Sequence, residues 1–312
     1  MTPVTGGIWD RVAAEYESTG VDFFAPLGRE LVARAGLRPG EHVLDVGTGR
    51  GHVLVPAAAA VGQTGRVIGV DLSPAMVELT AADLAGRGVT NATVHVGDAA
   101  APDLAPESVD AVLAGFMLFL LPDPGAALHT YRSILAPGGR LAASTYGPPD
   151  PHADEARHRL RRRAGLGADA PDVFDDPAAL AAMVRSAGFT DVVVDDVAVP
   201  VRFRDVDQWW SWARSVGYRG ALERIAPADL PAARADVADA LAGARQDDGT
   251  RTSPCFLVRQ HGCKRVDAPE DLMMTRESRR NLTTWTPHRP PRRLDSRRRA
   301  PGRAVPALPL SP

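Results

Sequence analysis

The feature that most constrains this chain is a regular alternation between residues 41 and 146. Short apolar runs at 41–46, 66–72, 91–98, 109–116 and 139–146 alternate with helix-like segments at 52–62, 73–88 and 124–135. Strands separated by helices pair in parallel through right-handed crossovers, with helices on both faces of the sheet. Near-continuous apolar strands such as "VDAVLAGF" fit burial on both sides. The first run, "EHVLDV", opens into "GTGRG", with glycine at 47, 49 and 51. In such a sheet, ligands sit beyond the carboxyl ends of the strands where strand order reverses. A turn there needs unusual backbone angles and no side chain between main chain and ligand, which glycine supplies.

The remaining chain is less regular. Ser73 and Pro74 read as N-cap and first residue of the 73–88 helix, while Pro56 is an awkward member of the 52–62 segment. "PGG" at 137–139 reads as the stop of the helix before it. A charged helix is expected within 148–173, a second helix in "DPAALAAMVRSAGF", a strand in "TDVVVDDVAVPVRF", helices over 205–225 and 227–245, and a last strand in "SPCFLVRQ". Segments 147–188 and 203–250 are the expected variable lid and substrate elements of a domain spanning 1–259.

Charge divides the chain in two. Residues 260–312 carry twelve Lys/Arg against five Asp/Glu and eight Pro, whereas the whole chain has net charge −2, so residues 1–259 are acidic. The basic tail has too few aliphatics to offset its ordering entropy and is expected to be disordered. Cys255 and Cys263 form no metal-ligand or disulfide pattern, so no metal site is expected. "LAGFMLFLLP" is far shorter than the roughly 20 apolar residues of a membrane helix. No basic region followed by an apolar stretch opens the chain, and a cytoplasmic location is expected.

The spacing around the first glycines separates two ligand classes. A G-x-G-x-x-G turn seats a pyrophosphate on a helix N-terminus, but here the pattern is G-x-G-x-G with Asp45 two residues ahead. That carboxylate would repel pyrophosphate and suits an amino group. Asp71, closing "VIGVD", can accept both ribose hydroxyls in charge-assisted bonds of about 1.5–3 kcal/mol each. Asp98, after "VHVG", stands where an adenine amino group would lie. Amine, ribose and adenine together describe S-adenosylmethionine.

"VLDVGTGRG", "VIGVDLSPAM", "VHVGDA" and "LAPGGRL" together resemble the ordered motifs of class I S-adenosylmethionine-dependent methyltransferases. The resemblance covers roughly residues 8–145 and is most similar to the ubiquinone/menaquinone-biosynthesis-like small-molecule branch. It implies a Rossmann-like α/β fold, a seven-stranded mostly parallel sheet with helices on both faces and a helical lid insert. Gly47–Gly51 would lie under the methionine part, Asp71 on the ribose and Asp98–Ala99 at the adenine. The implied cofactor set is Asp45, Gly47, Thr48, Gly49, Gly51, Asp71, Leu72, Asp98, Ala99 and Ala114.

A sulfonium donor is already activated, so the protein mainly aligns nucleophile, methyl and sulfur, which can supply about 7–11 kcal/mol. Where similar small-molecule enzymes carry a histidine pair after the fourth strand, this chain has Phe119 and Leu120, and no catalytic base is assigned. His129 is expected on the surface; His152 and His158 fall in the variable insert; Tyr146 ends the fifth strand at the pocket mouth. Trp9, Ala13 and Tyr16 share one face of an N-terminal helix, which in similar enzymes covers the cofactor. Trp209, Trp210, Trp212 and Tyr218 suggest either ordinary packing or a lid over an apolar or aromatic acceptor. The expected function is methyl transfer to a small, apolar or aromatic metabolite of secondary or quinone-like metabolism. The alternatives are nucleic-acid methylation, disfavoured by the acidic body and by "AGFM" where a base-methylating motif would stand, and a rearrangement or cyclisation on the same fold.

Overall fold

The five apolar runs become β1 (His42–Val46), β2 (Arg66–Asp71), β3 (Ala92–Val96), β4 (Val109–Gly115) and β5 (Leu135–Tyr146) of a computed structural model. It describes residues 7–16, 18–147, 151–167, 173–242 and 250–260. These strands pair in parallel in the order β3-β2-β1-β4-β5, so strand order reverses between β1 and β4. Beyond β5, β7 (Thr250–Gln260) runs antiparallel and carries β6 (Val192–Arg202) on its far side, giving β3-β2-β1-β4-β5-β7-β6.

The helices are α1 (Gly7–Val12), α2 (Phe24–Ala35), α3 (Leu54–Val61), α4 (Pro74–Gly86) and α5 (Pro124–Ile134), then α6 (Pro151–Arg163), α7 (Pro177–Ser186), α8 (Val206–Ser215), α9 (Arg219–Leu222) and α10 (Leu230–Ala242). Strand alternation feeds two cores. Val43 and Leu113 join Leu27 and Leu31 of α2 and Leu54 of α3 on one face. Leu44 and Val112 join Leu128 and Tyr131 of α5 and Leu180 of α7 on the other.

Local chemistry sets the helix ends. Pro56 falls in the first turn of α3, where a backbone N–H would lack an intrahelical partner anyway. Ser73 caps α4, its hydroxyl oxygen accepting the Met76 N–H at 3.2 Å. Asp123, Asp176 and Asp205 cap α5, α7 and α8 in the same way. Arg140 donates to the Ala35 and Gly36 carbonyls at 2.6 and 2.9 Å and pairs with Glu41, closing the C-terminus of α2.

Three boundaries differ from expectation. The 205–225 helix breaks after Ser215, where Val216 is extended and Gly217 follows, so α8 and α9 are separate. The N-terminal helix ends at Val12, yet Trp9, Val12, Ala13 and Tyr16 still converge on Met76 of α4. "PGG" does not separate α5 from β5: Leu135 already pairs with Val109, and the register then shifts before Arg140 meets Ala111. The tail expectation falls on 261–312, outside the described residues.

Candidate active site

The turn after β1 folds over the end of β2. Asp45 is 1% exposed, and its Oδ2 accepts the Thr48 hydroxyl at 2.6 Å. Burial, with a smaller contribution from the nearby Asp71 charge, pushes the Asp45 carboxyl up to about 7. Thr48 donates its N–H to the Val70 carbonyl at 3.0 Å, and Gly49 donates its N–H to Asp71 Oδ2 at 2.8 Å. Gly47 has φ +64°, and a Cβ there would stand 2.8 Å from Met117 Cβ. Gly49 has φ +50°, and a Cβ there would meet nothing within 4 Å, so its main chain faces open space. Gly51 completes the turn at φ +77°.

Asp71 is held from both sides, because Oδ1 also accepts the Ser73 N–H at 2.9 Å. Burial raises its pKa against those two bonds. Leu72, next in sequence, is 52% exposed. At the end of β3, Asp98 Oδ1 accepts the Ala100 N–H at 2.8 Å, while the Ala99 carbonyl turns inward and accepts the Tyr131 hydroxyl at 2.7 Å. The structure therefore brings Asp45, Thr48, Gly49 and Asp71 into one bonded turn, with Leu72 beside it. Ala114 is different: it is fully buried in the core cluster that also holds Leu44 and Val112.

α1 is tied to this turn. The Asp10 carboxylate accepts the Ser73 hydroxyl, in a short contact, and the Ala75 N–H at 3.3 Å. Arg11 forms a two-point pair with Glu223 just past α9, at 3.2 and 2.7 Å. One short helix thus joins the start of α4 to the α8–α9 region.

Beside the switch point, aromatic rings form a continuous wall. Tyr16 stacks on Phe24 at 5.5 Å, Phe24 meets Phe116 at 5.4 Å, Phe116 meets Tyr146 at 5.0 Å, and Phe119 meets Tyr146 at 5.3 Å. Phe23 links this wall to Trp212 at 5.4 Å. Phe116 follows β4 with φ +53°, an uncommon angle for a bulky residue. Its N–H is held by the Ser144 carbonyl at 3.0 Å.

Sequence reading did not single out Phe23, Phe24, Phe116 or His52; His52 follows the glycine turn with its ring 6.1 Å from that of Tyr16. Only Phe116 carried a positional signal, directly after the end of β4; Phe23 and Phe24 open α2 and His52 follows the glycine turn. His129 is exposed on α5, as expected. His152 Nδ1 lies 3.2 Å from the Ala240 carbonyl, between α6 and α10, and His158 lies 3.6 Å from Asp154 one turn earlier in α6. Trp209 and Trp212 are buried in the core cluster that also holds Val237 and Leu241 of α10. Among the described residues no His/Cys/Asp/Glu group could hold a metal ion, and no helix is long and apolar enough to cross a membrane.

The five parallel strands, with a glycine turn bonded to an acidic strand end at the point where strand order reverses, form a Rossmann-like α/β fold. Residues 43–139 match the family model described as a methyltransferase domain. The chain is 35% identical over 268 residues to nocamycin O-methyltransferase of Saccharothrix syringae, covering 80% of this chain and 96% of that protein. It is 41% identical over 134 residues to an aklanonic acid methyltransferase of Streptomyces sp. strain C5, covering 43% of this chain and 61% of that one. The YcgJ protein of Bacillus subtilis shares the fold at TM-score 0.54 and 17% identity, covering 77% of this chain and all of that one. The chain belongs to the class I S-adenosylmethionine-dependent methyltransferases of small-molecule type. Its methyl donor is S-adenosylmethionine. The open face of Gly49 and the buried acidic pair beside it fit that donor.

Proposed function

We propose that this enzyme methylates an oxygen of a flat, apolar or aromatic small metabolite that lies against the Phe24–Phe116–Tyr146–Phe119 wall. The carrying observation is the position of that wall: Phe116 follows β4, the strand beside β1, and its ring meets Tyr146 at the end of the neighbouring β5, while Met117, next in the chain, lies against Gly47. The donor placement follows the same geometry. Gly47–Gly51 approach the amino-acid end, Asp71 receives the ribose hydroxyls, Leu72 covers the nucleoside, and Asp98 with Ala99 borders the adenine. When bound, the donor supplies a methyl group on a sulfonium, already activated for in-line displacement.

What the chain adds is alignment and exclusion of water. Aromatic rings give a large, stiff contact surface that orients a planar acceptor at small entropic cost. Asp71 contributes negative charge near a cationic donor, while Asp45, pushed up to about 7 by burial, supports the turn through Thr48. α1 and α8–α9 form the lid, with Trp212 buttressing Phe23 from behind. No histidine lies among residues 116–123 between β4 and α5, so the geometry favours an acceptor that ionises readily. An acidic body and an apolar wall suit a small molecule rather than a nucleic-acid backbone.

The test is incubation with isotopically labelled donor and a panel of phenols, enols and carboxylic acids on polycyclic scaffolds, read by mass spectrometry. Label should enter an oxygen, and Phe116→Ala should raise the acceptor KM about tenfold while leaving donor affinity unchanged. Label on no oxygen acceptor, or a wall variant that behaves like the wild type, would overturn the assignment.

A further inference from the structure

Tyr131 lies on α5, fully buried and outside the crevice, where a phenylalanine would fill the same core. Its hydroxyl donates to the Ala99 carbonyl at 2.7 Å, and the same oxygen lies 3.9 Å from Met117 Sδ. Ala99 belongs to the loop that closes β3, which borders the adenine end of the donor in the placement above. Met117 follows β4, and its Cβ is the atom that a side chain on Gly47 would strike at 2.8 Å. A single phenol therefore touches the adenine loop on one side and, on the other, the side chain lying under the turn for the amino-acid end.

We infer that Tyr131 is a positioning residue that sets the separation between the adenine loop and the Gly47 turn, and so selects ligands that span both. This rests on the donor placement proposed above. The three strands carrying these loops are not consecutive neighbours: β1 lies between β2 and β4, and β3 stands at the sheet edge. Backbone pairing fixes the strands but leaves the loops beyond them free to adjust. The Ala99 carbonyl points into the core rather than into the crevice because the phenol is there to meet it. The neighbouring Ala100 and Ala101 N–H groups bond back to Asp98, so the loop is folded as one piece on that anchor. Burial, with the Asp98 charge as a lesser cause, raises the phenol's pKa and keeps it a donor throughout the working range. Tyr131 itself never meets the ligand. Its effect passes through Ala99 and Met117.

The experiment is calorimetry on Tyr131→Phe with two ligands, S-adenosylhomocysteine, which spans both ends, and adenosine, which occupies one. The expected result is about a tenfold loss for S-adenosylhomocysteine with adenosine within about twofold of wild type. The donor KM should rise by a similar factor, with kcat at saturating donor nearly constant. A purely structural tyrosine would lower the melting temperature and weaken both ligands alike, or neither, and either pattern overturns the inference. Should Tyr131→Phe fail to fold, Met117→Leu keeps the volume and removes only the sulfur contact. The same selective loss, several-fold, supports the assignment, and unchanged or equal affinities reject it. The donor placement fails separately, if wild-type protein binds no S-adenosylhomocysteine or Asp71→Ala leaves that binding unchanged.

Discussion

Gly49 donates its backbone N–H to the Asp71 carboxylate over 2.8 Å, so the turn after β1 and the acidic end of β2 are one bonded unit. The carboxylate is costly where it sits, because burial opposes its charge. Asn would relieve the buried charge but turn an N–H donor toward one of the two backbone N–H groups that the carboxylate accepts, so the melting temperature should fall modestly, while S-adenosylhomocysteine binds about 10–100-fold more weakly, the range expected for hydrogen bonds to a charged group. Calorimetry and thermal unfolding on the same samples check both halves. A variant that lost stability but kept affinity would show that Asp71 is structural.

Asp45 makes stability depend on pH. Its folded pKa of about 7 lies above the ordinary carboxylate value, so the folded state holds a proton that the unfolded chain has released. That contribution is complete below pH ~4, declines as pH rises through the folded value, and is gone above about 7. Asp45→Asn removes the titration and should gain on wild type by about 2–3 kcal/mol between pH 5 and pH 8. Urea unfolding of both proteins at those two pH values measures the difference. Parallel curves would rule it out.

The glycines at 47 and 49 should separate stability from binding. Alanine at either position pays for a left-handed backbone, about 1–2 kcal/mol. At Gly47 it must also displace Met117, so the melting temperature should fall further than in Gly49→Ala. At Gly49 the methyl points into open space on the proposed donor side, so donor affinity should fall there while the fold persists. The two variants are compared by thermal unfolding and donor titration; reversed ranks would misplace the crevice.

Asp10 holds α1 to the start of α4 through the Ser73 hydroxyl and Ala75 N–H. Asp10→Ala should speed release of S-adenosylhomocysteine several-fold, since buried charge-assisted bonds of this type contribute about 1.5–3 kcal/mol and exposed ones less. The melting temperature should shift little. Stopped-flow release rates give the answer, and an unchanged rate would mean that α1 does not gate the donor.

The first half of the fold was legible because strand ends and helix starts carry their own local signals: apolar runs, Ser73 before Pro74, and glycine after Asp45. The break between α8 and α9 was not, because "SVGY" costs a helix little and only packing decides that Val216 is extended. The strand-like start at Leu135 was hidden by "PGG", since a one-residue pairing before a register shift leaves no periodic trace. Within the site, Asp71 could be read from its place at a strand end, but its bond to Gly49 spans 22 residues and emerges only when β1 and β2 align. Phe116 and Tyr131 carry no local sequence signal; what distinguishes them is a positive φ in one and a buried bond to a carbonyl in the other. Trp212, read from sequence as either ordinary packing or part of a lid, lies with its ring 5.4 Å from that of Phe23.

The antiparallel insertion of β7 has a consequence for biosynthesis. Among the described residues β6 pairs with β7 alone, and β7 comprises residues 250–260, so that edge of the sheet stays unzipped until the ribosome has delivered residue 260. Strands β1 to β5 need nothing beyond residue 146 to pair with one another. The nucleoside half can thus assemble on the nascent chain, while the sheet beyond Tyr146 is finished last and waits, exposed to chaperones, for a segment made more than a hundred residues later.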